Sequence, residues 1–446
     1  MKRIFGLLLC VFVVGSALSG CAPDAAPTAA PEASQPTAGS QNPPPAATSS
    51  EPVTLVVTSF NEQDAMFFRE AAEGYSKLHP NVTIDVQVVA SPTWSEYFDK
   101  ISATVAGGGD IDIVEVATEG ARLMETMGMI EPIDAYLDAD PEFKADLLAD
   151  VDPKLWIPYQ YEGALYGLPW YWDTCAIFYN TKMFEEAGLK PPSPDWTVEE
   201  FLSDAQKLTT LNADGTPATF GFENSYFQFC IEPWLFNAGG SILNEDMTAS
   251  NVTNLNTIDA LQWMHDLIWK YKVTPTGAEQ GFQANMNLFA AGRIAMFATG
   301  RWSVLGYLNA DFKDWEVVPF PKWREQNGIY GVGANVILKG SKNKDVAWDF
   351  VKYMNNPEWG RKVAMYGIPS RKSVAYDPEV MAVSPPADYK FWYDVLENAL
   401  PVEAPPQYNK VESIFLRYLD MILKNQATVE EAVQQMDVEL NVALKQ

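Results

Sequence analysis

The chain has 446 residues, 58 acidic side chains against 31 basic ones, a formal charge of −27 and only two histidines. That charge excludes nucleic acid as a partner and disfavours adsorption on anionic lipid. Two histidines, His79 in a Pro turn and His265 in a helical pattern, leave little material for a His-based triad or a multi-histidine metal site.

The first 21 residues read MKRIFGLLLCVFVVGSALSGC. A basic head, Lys2-Arg3, precedes an apolar run, Ile4 to Val14, that is too short to span a bilayer comfortably. This is the pattern of an export signal over residues 1–20. Leu18-Ser19-Gly20-Cys21 resembles the bacterial lipobox, which implies lipidation of Cys21 as the first mature residue. Residues 22–52 then hold eight prolines and no aromatic or aliphatic β-branched side chain. Such a segment cannot bury enough apolar surface to offset its ordering entropy, so 21–52 reads as a lipidated tether.

The remaining body exceeds one ordinary core and is expected to form two lobes. Val53 to Thr58 predicts a strand, 64–78 a helix, VTIDVQVV an alternating strand, 94–105 a helix ended by Gly107-Gly108-Gly109, and 111–116 a third strand. This order predicts parallel βαβ units, whose ligands gather beyond the carboxyl ends of the strands. Asn61 and Glu62 after the first strand and Glu119 after the third are therefore candidates. No Gly-Lys-Ser/Thr follows the glycines, so they read as a helix stop rather than a phosphate loop.

Residues 166–180, YGLPWYWDTCAIFYN, set Trp170, Tyr171 and Trp172 side by side before Asp173. Alternate strand residues point to opposite faces, so at least one ring must leave the core. Thr174 to Tyr179 predicts a strand. Thr197 and Glu200 form a capping box for the helix that follows. Residues 257–271, 342–355 and 411–424 have helical spacing. Cys175 and Cys230 are read as buried thiols, with a disulfide in an oxidising compartment as the open alternative.

Several stretches in this body are similar to one family: YSKLHPNVTIDV, YGLPW, FYNTKMFEEAGLKPPSPDWTVEEF, LFNAGGSILNED, AAGRIAMFATGRW, GSKNKDVAWDFVKYMNNPEWG and YGIPSR. The chain resembles the solute-binding protein of an ABC importer, in the carbohydrate-binding class that includes maltose-binding protein. The resemblance implies an α/β, two-lobed periplasmic-binding-protein-like fold with hinge strands and an inter-lobe ligand cleft. By it, lobe one spans 53–172 and returns over 332–385, while lobe two spans 173–331 and ends in helices over 386–446. It also implies hinge closure, an ABC permease as partner, a monomer, no cofactor, and a place at the cell surface or in the periplasm.

Aligned on Pro169, the family's cleft segment carries Tyr171 and Asp173, with Trp170 and Trp172 as neighbouring candidates. A Gly-x-Trp pattern points to Trp302, with Arg301 beside it. The loop before Gly239-Gly240 adds Trp234 and Asn237. An aromatic ring can cover the C–H face of a pyranose while a carboxylate accepts its hydroxyls. Tyr330-Gly331-Val332-Gly333-Ala334 lacks a Trp that some relatives carry near the second crossing.

Enzymes find little support. G-x-S-x-G is absent, and Ser341-Lys342-Asn343-Lys344 matches S-x-x-K without S-D-N or K-T-G, so Ser341 reads as a helix N-cap. A glycosidase needs only two carboxylates and has no positive sign here. A sugar-binding adhesin would share the cleft. A polyamine-binding protein of the same fold is the closer alternative, because acids and aromatic rings suit an ammonium.

Overall fold

The computed structural model describes residues 51–276, 281–365 and 367–446; the export signal, Cys21 and almost all of the tether lie outside the described residues. The strands used below are β1 (Val53–Ser59), β2 (Val82–Val88), β3 (Ile113–Ala117), β4 (Leu168–Asp173), β5 (Cys175–Asn180), β6 (Thr210–Leu211), β7 (Pro217–Asn224), β8 (Ile294–Gly300), β9 (Trp315–Val318), β10 (Gly328–Ile337), β11 (Ile368–Pro369) and β12 (Ala399–Pro401). They build the sheets of two lobes.

In the first lobe the order is β11-β4-β10-β3-β1-β2, with β12 also paired to β10. β1 lies parallel to β2 and β3, as the βαβ spacing predicts. Helix Glu62–Leu78 connects β1 to β2 and helix Trp94–Ala106 connects β2 to β3. The first is capped by Asn61, whose side chain accepts from the Asp64 backbone N–H at 2.9 Å. β10 runs antiparallel to both β3 and β4.

The second lobe orders its strands β9-β5-β8-β7-β6. Its sheet is buried on both faces. Phe178 packs with Tyr307, Trp315 and Trp392 on one side. The alternate residues Ile177 and Tyr179 join a second core with Phe201, Trp234 and the helices Leu255–Trp269 and Tyr408–Leu423. The capping box at Thr197 and Glu200 is present.

The chain leaves the first sheet at Asp173 and enters the second at Cys175, returns along β10, and leaves again through β12 toward helix Tyr408–Leu423. These passages place backbone between the lobes. Residues 386–446, expected to end lobe two as helices, divide. β12 pairs with β10 of the first sheet, Tyr393 packs on Trp172 of the first lobe, and Trp392 packs on Phe178 of the second. The helices Tyr408–Leu423 and Val429–Ala443, with Val402 and Ala404 ahead of them, belong to the second core.

Two local expectations are corrected. Cys175 and Cys230 form a disulfide, with Cα atoms 5.7 Å apart. The first residue of β5 packs directly against helix Gln228–Ala238, a proximity that a sequence separation of 55 conceals. Ser341 is not the N-cap of its helix, which starts at Lys344 behind Asn343. Its hydroxyl donates to Asp112 and accepts from the Asn343 N–H at 3.1 Å, holding the turn ahead of the helix. Among the described residues no helix is long and apolar enough to cross a membrane.

Candidate ligand-binding cleft

A cavity of about 410 Å³ opens where the chain passes between the lobes. This is a volume typical of small-molecule sites. Its first wall follows from parallel-sheet geometry, because the loops beyond the carboxyl ends of β1, β2 and β3 converge. Phe60, Asn61 and Asp64 come from the first loop, Ser91 to Trp94 from the second, and Ala117 and Glu119 from the third. Phe60 stacks on Trp94 with centroids 4.0 Å apart, and Trp94 stacks in turn on Phe98. The indole therefore rests on the lobe-one core and keeps part of its surface toward the cavity.

β4 supplies the second wall through its pleat. Leu168, Trp170 and Trp172 share one face, while Tyr171 and Asp173 share the other. The first face enters the lobe-one core, with Trp170 against Phe68 and Trp172 against Tyr393. The second faces the cavity. Lobe two adds Phe227, Phe229, Met286 and Trp302, and the C-terminal helix adds Tyr408 and Glu412.

Glycines underlie the rings. A Cβ on Gly333 would fall 2.1 Å from the Tyr171 ring, one on Gly300 would fall 1.9 Å from the Trp302 indole, and one on Gly331 would fall 2.9 Å from Phe229. The Gly331-Val332-Gly333 stretch is thus the bare floor on which two other rings lie.

Among the described residues, four carboxyl groups line this cavity, Asp64, Glu119, Asp173 and Glu412, and no Lys or Arg does. Asp64 hydrogen-bonds Glu115 behind it; burial, then the Glu115 charge, pushes the Asp64 carboxyl well above its ordinary range. Glu115 accepts from Ser59 Oγ at 2.9 Å and from the Phe60 N–H at 3.0 Å. Burial still raises it to about 7. Burial likewise lifts Glu119 to about 7. Asp173 is raised by burial against the opposing pull of the Arg301 charge, and its Oδ1 has no hydrogen-bond partner. Glu412 is raised by burial although Tyr408 Oη and Ser95 Oγ both donate to it.

The cavity therefore brings together Asn61, Glu119, Tyr171, Asp173 and Trp302 of the sequence candidates. The others lie elsewhere. Glu62 points to solvent and pairs with Arg69. Trp170 and Trp172 are turned into the core by the pleat. Trp234 is enclosed by Phe201, Phe222 and Phe320, with its indole N–H donating to Asn224 Oδ1 at 3.0 Å. Asn237 holds the 324–327 loop, its carbonyl accepting from the Arg324 and Glu325 N–H groups and its side chain from Asn327. Arg301 turns away from the cavity to donate to the Ala364 carbonyl and Tyr389 Oη, at 2.5 and 2.6 Å.

Asp64, Trp94, Phe229, Tyr408 and Glu412 were not anticipated. The strand-end rule that selects Asn61 and Glu119 also selects Trp94, because it follows β2. Nothing local marks Tyr408 and Glu412, which reach the cavity through packing of the distant C-terminal helix.

Comparison with known proteins gives this geometry its family. The model of the bacterial extracellular solute-binding proteins matches residues 61–361. This chain belongs to that family. Such proteins lie outside the cytoplasmic membrane, in the periplasm or at the cell surface, and bind solutes rather than transform them. Among curated relatives of this solute-binding protein, the maltotriose-binding protein of Pyrococcus abyssi is 26% identical over 387 residues, covering 80% of this chain and 79% of its own. The arabinooligosaccharide-binding protein of Bacillus subtilis is 25% identical over 318 residues, covering 69% and 70%. In fold, an ABC substrate-binding protein of Listeria monocytogenes in complex with cycloalternan superposes with a TM-score of 0.80 at 22% identity, covering 89% of this chain and all of that one. The maltotriose-binding protein of Thermus thermophilus, bound with maltotriose, gives 0.71 at 25% identity, covering 88% and 99%.

Proposed function

We propose that this solute-binding protein captures an oligosaccharide in the cleft between its lobes and delivers it to the permease of an ABC importer, without chemical turnover. The observation that carries the reading is the pairing of flat aromatic surfaces with carboxyl groups in one cavity. Trp302, Tyr171, Trp94 and Phe60 offer faces for the C–H surface of sugar rings, and Asp173, Glu119 and Asn61 offer acceptors and donors for hydroxyls. Relatives named for maltotriose and arabinooligosaccharides agree with it. Closure of the lobes on the sugar would let the permease distinguish loaded from empty protein. Hydrogen bonds already cross from the first lobe to the C-terminal helix, Ser95 to Glu412 and Asn409 to Asp99. We further propose that the protein acts as a monomer, tethered through a lipid on Cys21.

Trp302 tests the reading. Its indole lies over Gly300 and tilts against Phe229, 5.9 Å between centroids, so its removal strips one aromatic surface from the cavity without cutting a strand. At ~25 cal/mol per Å² of apolar surface, losing its ligand-facing side costs on the order of 2 kcal/mol, about 30-fold in affinity. Trp302→Ala is therefore expected to weaken oligosaccharide binding by about 30-fold in a calorimetric titration while the far-UV spectrum stays unchanged. Unaltered affinity would move the sugar out of this cleft.

A further inference from the structure

We infer that the saccharide bound here carries a protonated amine, and that Glu119, with Asp173 and Glu412, forms its ammonium subsite. This rests on the carbohydrate reading above and narrows it. Acid side chains alone would not suffice, since carboxylates accept neutral hydroxyls well. The deciding feature is Glu119. It is 6% exposed, it lines the cavity from the start of helix Thr118–Thr126, and its carboxyl is held only by its own backbone N–H. Asp173 Oδ1, in the same wall, has no hydrogen-bond partner, although the Thr174 and Arg301 backbone N–H groups reach that carboxyl.

The balance of charge points the same way. Among the described residues, four carboxyl groups meet the cavity and no cation does. Arg301, the cation behind Asp173, already donates to Ala364 and Tyr389 and lies over the Tyr389 and Trp392 rings. The groups that bear electrostatically on Glu119 and its neighbours are Glu412 and Tyr408 from helix Tyr408–Leu423, Glu232 from helix Gln228–Ala238, Asp173 from β4, Tyr159 below, and Asp64 with Glu115 across the strand ends. A neutral ligand can donate hydroxyls to these carboxyls but leaves their charge without a counter-charge. An ammonium offers three donors and a positive charge at the point where donors are lacking. Aromatic faces such as Trp302 and Tyr171 add attraction for a cation.

Proton linkage separates the two kinds of ligand. Glu119 and Glu115, raised to about 7, are partly protonated in the empty cleft at neutral pH. An ammonium lowers them and expels protons, whereas a neutral sugar that only dehydrates them takes protons up.

The test is calorimetry of the full-length protein at pH 7 in two buffers of different ionisation enthalpy. The probes are di- to tetrasaccharides of glucosamine and galactosamine in α and β linkages, each matched with its N-acetyl and its hydroxyl counterpart, together with spermidine. The inference expects one aminated member to bind at least 10-fold tighter than both counterparts, with more protons released, or fewer taken up by its part-neutral amine, than in Glu119→Gln. In Glu119→Gln, and separately in Asp173→Asn, that preference should shrink at least fivefold. A neutral member binding as tightly, with protons taken up, overturns the ammonium subsite and leaves the carbohydrate reading standing. Spermidine binding without any saccharide overturns both, and so does the absence of binding across the whole set.

Discussion

Replacing Cys175 and Cys230 together by alanine is expected to destabilise the protein by about 4 kcal/mol. The bridge closes a loop of 55 residues, and the chain-entropy cost of leaving such a loop open in the unfolded state is ~4 kcal/mol. Both residues are buried in the second core, so the alanines also lose packing there, which adds to the loss. The bridge ties the first strand of the second sheet to helix Gln228–Ala238, whose neighbouring residues Phe227 and Phe229 line the cleft. Thermal unfolding should show the midpoint falling by about 8–16 °C, the range for an effect of this size in a lobe of roughly 200 residues. A midpoint within about 1 °C of the parent would mean that the bridge constrains nothing the fold does not already hold.

Stability should fall as pH rises from 5 to 8, against the usual trend for a protein with this many acids. Glu115, Glu119 and Glu403 are lifted to about 7 and Glu223 to about 8, each chiefly by burial. Between the ordinary carboxyl value and these raised ones, the folded chain keeps protons that the unfolded chain has lost. The folded state binds more protons, so unfolding free energy declines with rising pH through that window. One carboxyl moved from 4.5 to about 7 contributes ~2 kcal/mol of decline between pH 5 and pH 8. Acids whose values are lowered, such as Asp140 and Asp150, act with the opposite sign and below this window. The thermal midpoint at pH 5.5 should exceed that at pH 8 by at least about 5 °C. Glu223 lies outside the cleft and accepts from the Asn224 N–H and Tyr226 Oη. Glu223→Gln should flatten the slope by one group's share. A midpoint that rises with pH would contradict the burial of these acids.

The sequence is most informative where a rule of geometry acts locally. Strand–helix–strand spacing located the loops that carry Asn61 and Glu119, because parallel strands deliver their carboxyl ends to one side. Alternation required that the rings of β4 divide, but it could not say which face met the core. Tyr171 and Asp173 were therefore found together with Trp172, which the pleat turns inward. Glu62 and Asp64 are two positions apart on one helix and point in different directions, outward and into the cavity. That choice depends on how the helix lies on the sheet. Arg301 and Trp302 separate in the same way within a single 3₁₀ turn. The disulfide, Tyr408 and Glu412 arise from contacts between segments far apart in the chain, and no local pattern encodes them.

The central claim is that this cleft holds a sugar. Thermal unfolding of the full-length protein against neutral and aminated di- to tetrasaccharides tests it most directly. A ligand at 100 times its Kd should stabilise the folded state by ~2.7 kcal/mol, a shift of several degrees. The account predicts such a shift for one structural class of saccharide, and its fall to about a third at the same concentration in Trp302→Ala. No shift with any saccharide, or an equal shift in the variant, would contradict it.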